Sequence, residues 1–189
     1  MTAQAFAIFE TALGACALAW GEAGVAGVRF PDPDPTAVRF AARRAWPDAA
    51  LAEPPGAVAQ TVLDIQAHCR GEPQDFAGTQ LNLGSVSDFH REVYAAARAI
   101  PCGQTLTYGE MAARIGAPGA ARAVGEALGR NPWPIIVPCH RILAAGGGKG
   151  GFSAPGGVAA KMRLLEIEGA LAVERLPLFA PQPSSASRK

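Results

Sequence analysis

The sequence has few histidines, few charged side chains and no paired cysteines. Three histidines occur among 189 residues, and only 17% of the residues are charged. Four cysteines, Cys16, Cys69, Cys102 and Cys139, are scattered without paired spacing, which argues against both a disulfide framework and a zinc ribbon. At least one thiol is therefore expected to be free to react.

A basic leader and long apolar runs are also missing. The N-terminal 20 residues carry Glu10 within their apolar run, and no other apolar run approaches the length needed to cross a bilayer. Because 49% of the residues are hydrophobic, the chain can bury a core for one domain or two small ones. We expect a cytoplasmic globular protein with no membrane partner.

Charge is distributed unevenly along the chain. Residues 1–84 have a net charge of −4 and the remaining residues one of +5, which together give the net charge of +1. A mildly basic half can approach a polyanion. The bias alone is weak evidence for a nucleic-acid partner, and on charge alone chance is the better interpretation.

Apolar patterning predicts an α/β fold class with a small α/β domain over residues 1–84. Two apolar strands flank a Gly-Glu-Ala-Gly turn in residues 15–30 and predict a hairpin-containing sheet. Helical patterns follow at residues 35–46 and 57–70.

A mostly helical C-terminal domain is predicted over residues 85–176, followed by a disordered tail over 177–189. Thr107 and Glu110 have capping-box spacing at the start of one short helix. After the break "APG", the segment "AARAVGEALGR" predicts a second helix, which completes a helix-turn-helix outline of winged-helix type. The pattern alone favours an ordinary helical hairpin over a DNA reader, and Arg122 could simply pair with Glu126 on its surface.

The stretch "PIIVPCHRIL" places Cys139 next to His140 in an apolar segment. A nucleophilic cysteine must ionise, and histidine is the usual base. Neighbouring residues of a strand point to opposite faces, so a plain strand would separate the two side chains, although Pro138 can break the alternation. For the dipeptide alone, a buried structural cysteine beside an unrelated histidine is the better interpretation.

The neighbouring residues favour a nucleophilic cysteine instead, because "NPWPIIVPCHRIL" resembles the active-site signature of the O6-alkylguanine-DNA alkyltransferases. The segment "IPCGQTLTYGEMAARIGAPGAARAVGEALGRNP" resembles the helix-turn-helix of that family, and "GGFSAPGGVAAKMRLLEIEG" resembles its substrate loop and closing helix. The resemblance covers about residues 87–170 in the family's order, whereas residues 1–84 match only loosely.

The resemblance implies a DNA repair protein that takes the alkyl group of a flipped-out O6-alkylguanine irreversibly onto its own Cys139. It implies double-stranded DNA as partner, a monomer, no cofactor and no metal, and it leaves O4-alkylthymine open as a second substrate. His140 would deprotonate Cys139 through a water, Glu168 would orient that histidine, and Tyr108 would assist the leaving base.

The family also implies residues that hold the base and the DNA. The predicted substrate-binding residues are Asn131, Val137, Phe152, Ser153 and Lys161. Arg122 would enter the base stack, and a helix face of small residues would lie close to the minor groove. That face comprises Ala120, Ala121, Ala123 and Gly125. The loop after Cys139 is longer than in many relatives, and Phe152 stands where many have tyrosine.

Two other functions stay open at this point. A non-catalytic alkyltransferase-like protein would bind the lesion without repairing it, but such relatives replace the acceptor cysteine, and Cys139 is present. A Cys-His hydrolase would need an oxyanion hole and repeated turnover, which a helix-turn-helix does not explain.

Overall fold

A four-stranded sheet is the centre of the N-terminal half. The computed structural model describes residues 2–32, 34–147 and 156–170. The sheet has the order β3-β2-β1-β4, with the first three strands antiparallel and β4 parallel to β1. Its strands are β1 (Ala5–Thr11), β2 (Gly14–Gly21), β3 (Gly24–Asp32) and β4 (Ala50–Leu51). The predicted hairpin is β2-β3, and β1 is an additional strand that the sequence analysis did not predict.

The central strand β2 is buried on both faces, so its sequence is continuously apolar and does not alternate. Helix α1 (Pro35–Ala45) covers one face, where Val38 and Ala42 join Ala17 and Ala19 in a small core. Helix α2 (Gly56–Cys69) covers the other face. Both helices lie where their apolar patterns predicted them.

The C-terminal half is mostly helical, as expected. Its elements are α3 (Asp88–Arg98), β5 (Leu106–Thr107), α4 (Tyr108–Arg114), α5 (Ala121–Gly129), β6 (Ile142–Leu143) and α6 (Gly157–Ile167). Ser87 caps α3, and Thr107 and Glu110 form the predicted capping box of α4. Glu126 pairs with Arg130, at 2.8 Å, and not with Arg122. A two-residue parallel ladder joins β5 to β6 and so links the start of the helix-turn-helix to the segment after His140.

The two halves share one large hydrophobic core. Trp133 is fully buried, and its indole Nε1 donates a hydrogen bond to the Val25 carbonyl of β3 at 2.8 Å. Val28 of the same strand donates its backbone N–H to the Pro132 carbonyl at 2.8 Å. Strand β3 therefore fixes the loop that precedes Cys139. The boundary expected near residue 84 stays a prediction, and the whole predicted tail, residues 177–189, lies outside the described residues.

Within the described ranges, none of the helices is both long and apolar enough to cross a bilayer.

Candidate active site

The loop over residues 131–138 presents Cys139 in a conformation that side chains fix. Asn131 closes the loop: its Oδ1 accepts from the Trp133 N–H and its Nδ2 donates to the Val137 carbonyl, both at 2.9 Å. Ile135 has a φ of 77° and is 1% exposed. A β-branched residue in the left-handed region is strained, and such strain persists only where surrounding packing enforces it.

Cys139 and His140 lie in a 3₁₀ turn, Cys139–Arg141, and not in a strand. The expected obstacle of strand alternation is therefore absent. The Cys139 backbone N–H donates to the Val137 carbonyl at 2.8 Å, so that carbonyl accepts two hydrogen bonds within the protein. If Val137 binds guanine through this carbonyl, as predicted, the oxygen would accept a third hydrogen bond.

The environment of the Cys139 thiol keeps it protonated at rest. Burial raises its pKa, while the Asn131 amide and the Lys161 ammonium group act in the opposite direction by favouring the thiolate. Lys161 is fully buried, and its Nζ donates to the Ile142 carbonyl at 2.5 Å. Because the net shift is upward, this thiol needs a base to react at neutral pH.

His140 is the predicted base. Its Nε2 lies 2.7 Å from Oε1 of Glu168. An ionised carboxylate only accepts hydrogen bonds, so Nε2 carries the proton and Nδ1 is the free acceptor. The buried Nδ1 has no hydrogen-bond partner among the described residues. Burial lowers the pKa of His140, which keeps the ring neutral at pH 7 and able to take a proton.

Glu168 follows α6 and is the carboxylate to which His140, His68 and Arg141 all form hydrogen bonds. Arg141 donates from Nε to Oε2 and from a terminal nitrogen to Oε1, both at 2.9 Å. His68 of α2 places its Nε2 2.9 Å from Oε1. Burial would raise the pKa of Glu168, but hydrogen bonds from His140, His68 and Arg141 outweigh burial and hold that pKa well below its usual range.

His68 and Arg141 are the two members of this cluster that sequence reasoning missed. A signal for His68 exists in retrospect, because it is one of three histidines and follows the apolar positions of α2 that enter the core. A buried histidine on such a face needs a polar partner. Arg141 directly follows the Cys-His pair but carries no motif of its own.

The same cluster is the only group of metal-ligating side chains found within the described ranges. Ligand atoms of His68, His140 and Glu168 lie within 4.8 Å of one another. Arg141, however, already donates to both oxygens of Glu168 and places a positive charge beside them. That arrangement suits a hydrogen-bonded relay better than a cation site.

A groove of about 1250 Å³ opens beside Cys139. Tyr108, Gly125 and Asn131 line it from the C-terminal half, and Val28 and Arg29 of β3 line it from the N-terminal half. Burial raises the pKa of Tyr108, so its hydroxyl stays a donor at neutral pH. A Cβ on Gly125 would lie 3.6 Å from the Tyr108 ring, which shows how closely α5 approaches this side chain.

The remaining predicted residues fall into two groups. Arg122 and Ala123 are exposed on α5, and Ala120, Ala121 and Gly125 are partly exposed beside them. The small residues therefore form an open helix face, as a DNA-reading surface requires. Phe152 and Ser153 lie outside the described residues.

Comparison with known proteins identifies the family of this chain. Residues 88–170 match the family described as 6-O-methylguanine DNA methyltransferase, DNA binding domain. The methylated-DNA–protein-cysteine methyltransferase of Mycobacterium tuberculosis is 46% identical over 125 residues, which are 66% of this chain and 73% of the relative. That of Methanothermobacter thermautotrophicus is 41% identical over 116 residues, or 61% of this chain and 64% of the relative.

The fold agrees with this assignment. The crystal structure of Mycobacterium tuberculosis OGT in complex with DNA superposes with a TM-score of 0.70 at 36% identity, covering 87% of this chain and 92% of that chain. The O6-methylguanine-DNA methyltransferase of Pyrococcus kodakaraensis gives 0.67 at 25% identity, covering 87% and 99%. The chain belongs to the methylated-DNA–protein-cysteine methyltransferase family. The expected fold class and family are thus confirmed, and the residue roles stay predictions.

Glu168→Gln should lower the free energy of unfolding by about 3 kcal/mol at neutral pH, because the neutral amide leaves the buried Arg141 charge unpaired. The folded-state pKa of Glu168 lies below its unfolded value of about 4.3, so its ionisation stabilises the fold above that pH. Only the wild type loses this contribution in acid. The difference between the two proteins should therefore shrink as the pH falls below about 4, measured by urea unfolding.

Glu166→Gln is the matched control, because Glu166 lies on α6 and forms a half-exposed pair with Arg163 at 3.2 Å. It should change the free energy of unfolding by less than about 0.5 kcal/mol. Equal losses in the two variants would show that the buried cluster contributes nothing special to stability.

Proposed function

We propose that this protein repairs O6-alkylguanine in double-stranded DNA by transferring the alkyl group to its own Cys139. The observation that carries the proposal is that Cys139 lines one groove together with residues of the helix-turn-helix, while the adjacent, buried His140 pairs with Glu168. The name of the relatives describes the same transfer from methylated DNA to a protein cysteine. One protein molecule repairs one lesion, because the thioether formed is stable.

The chemistry follows from the proton positions in the site. Nδ1 of His140 accepts the proton of Cys139, through a water, and Glu168 stabilises the imidazolium that forms. The thiolate then attacks the alkyl carbon and displaces guanine: the C–S bond forms as the carbon–O6 bond breaks, and the electron pair stays on guanine. Tyr108 donates its hydroxyl hydrogen toward the departing base as negative charge develops there.

Asn131 and Lys161 support the nucleophile in this proposal. Both favour the thiolate over the thiol, so they reduce the cost of forming the anion next to buried apolar side chains. Asn131 has a second role, since it fixes the loop that carries the thiol.

DNA binding is assigned to α5. Its exposed small residues allow a close approach to the minor groove, and the exposed Arg122 can occupy the space that a flipped base leaves. The solved relative in complex with DNA supports DNA as the partner. Because the reaction needs a reduced thiol and a DNA substrate, we infer that the protein acts in the cytoplasm.

Intact-mass analysis should show that an O6-methylguanine duplex adds one methyl group to the protein, located on Cys139 by peptide mapping. The number of lesions repaired should never exceed the number of protein molecules, since the acceptor is consumed. Cys139→Ser should bind the lesion without reacting, because a serine hydroxyl is far harder to ionise.

Cys102→Ser is the control for the acceptor assignment, because Cys102 is the other thiol that is not fully buried. It should transfer normally. Repeated turnover, or methyl on Cys102, would contradict the proposal, and lesion binding without any transfer would favour the alkyltransferase-like alternative.

His140→Gln should test the base, since a glutamine amide can still donate to Glu168 but cannot accept a proton at the Nδ1 position. Transfer should slow at least about tenfold near pH 7. The loss should shrink as rising pH ionises the thiol without help, beginning above the ordinary cysteine pKa of about 8.5 because burial raises that of Cys139. The single-turnover rate across pH measures this effect.

A His140→Gln loss that stays constant across pH, with folding and DNA binding intact, would show that His140 positions the substrate and does not activate Cys139. The histidine is a better test position than Glu168, because a change at Glu168 also unpairs Arg141.

Arg122→Ala should impair repair of duplex lesions by about tenfold or more while leaving reaction with the free base O6-benzylguanine unchanged, because only the duplex requires base flipping. Arg163→Ala removes the same charge from α6, outside the helix-turn-helix, and should affect neither reaction strongly. If Arg122→Ala slowed both reactions equally, its role would be structural.

A further inference from the structure

His68 connects the N-terminal half directly to the proposed relay. It lies on α2, outside residues 88–170 that match the family's DNA-binding domain. It is 1% exposed, and its Nε2 lies 2.9 Å from the same Glu168 oxygen that His140 contacts at 2.7 Å. These two residues are 100 positions apart in sequence, so only the docking of the two halves brings them together.

The protonation of His68 follows from its partner. Glu168 is held ionised and accepts hydrogen bonds only, so His68 carries its proton on Nε2, as His140 does. The buried Nδ1 of His68 has no hydrogen-bond partner among the described residues. The ring edge packs against Phe76, with centroids 5.6 Å apart. The orientation of the ring is thus set by the polar contact with Glu168 and by ring contacts with Phe76 and His140.

We propose that His68 is a positioning residue for alkyl transfer, which holds Glu168 so that this carboxylate fixes His140 with Nδ1 free to act as the base. The inference rests on the proposed function. Arg141 donates hydrogen bonds to both oxygens of this carboxylate. His68 approaches Oε1 from α2, so Glu168 is held from the N-terminal half as well as from the 3₁₀ turn. Without His68, only His140 and Arg141 of the 3₁₀ turn hold the carboxylate.

The groups around His68 suit a ring that donates a hydrogen bond from Nε2. The ionisable groups in contact are Glu168 and His140, and Arg141 balances the carboxylate charge. When His140 takes the proton of Cys139, Glu168 must balance two cations in a buried site. A third donor already in place keeps the carboxylate ionised and oriented during that step.

Two amide substitutions separate the donor from the rest of the side chain. In His68→Gln, the amide nitrogen can reach the position of the histidine Nε2 and donate to Glu168. In His68→Asn, the side chain is one methylene shorter, so its amide nitrogen does not reach the position of the histidine Nε2. His68→Phe, which keeps the ring volume without a donor, is a second loss-of-donor variant if the asparagine variant folds poorly.

Thr61→Val is the control for a general loss of packing. Thr61 lies on α2 and shares a buried hydrogen bond of 3.1 Å with Thr79, and it does not touch Glu168. This variant should lower the melting temperature without changing the transfer rate at saturating DNA.

The experiment measures single-turnover methyl transfer from an O6-methylguanine duplex across pH, with lesion-DNA affinity and thermal unfolding in parallel. We expect His68→Asn and His68→Phe to slow transfer about tenfold near neutral pH with unchanged affinity, because a hydrogen bond to a charged group is lost. The loss should shrink at alkaline pH, where the thiol ionises unaided. His68→Gln should recover most of the rate.

Wild-type rates in the asparagine and phenylalanine variants would overturn the inference and leave the proposed function intact. A loss that is equal at every pH and is not recovered by glutamine would also overturn it, because His68 would then be only a packing residue. No transfer by the wild type would overturn the proposed function and this inference with it.

Discussion

One buried carboxylate, that of Glu168, determines how the active site is assembled. Its charge can be buried only because His140, His68 and Arg141 donate hydrogen bonds to it. These donors come from α2 and from the 3₁₀ turn after Pro138, while the acceptor follows α6. Because an unpaired charge at this position would be costly, the N-terminal half, the reactive loop and the last helix must dock together.

The loop before Cys139 is the second constraint. Burial of Trp133 against Val25 and the closure of the loop by Asn131 hold Ile135 at a positive φ. A nucleophile is effective only when its approach to the substrate is fixed. The loop therefore stores strain next to the thiol, while its contacts with β3 and the Asn131 hydrogen bonds prevent it from relaxing.

Local signals made much of the fold predictable from sequence. The capping box of Thr107 and Glu110, the Ser87 cap and the β2-β3 hairpin each depend on residues a few positions apart. The contact of His68 with Glu168 spans 100 residues and has no local pattern, so it became visible only in the folded chain. Cys139 and His140 could be named as a pair, but their 3₁₀ geometry depends on long-range packing, as does the burial of Arg141.

The raised pKa of Cys139 fits a protein that can react only once. Thiols are oxidised in proportion to their thiolate character. Because burial raises the pKa of Cys139, its thiol stays protonated and is protected from oxidation before a lesion is bound. Reactivity must then come from a base that acts when the substrate is in place. His140 is the base that we propose, and its own lowered pKa keeps Nδ1 unprotonated at neutral pH. Protection of the thiol and its activation thus depend on the same low-dielectric surroundings.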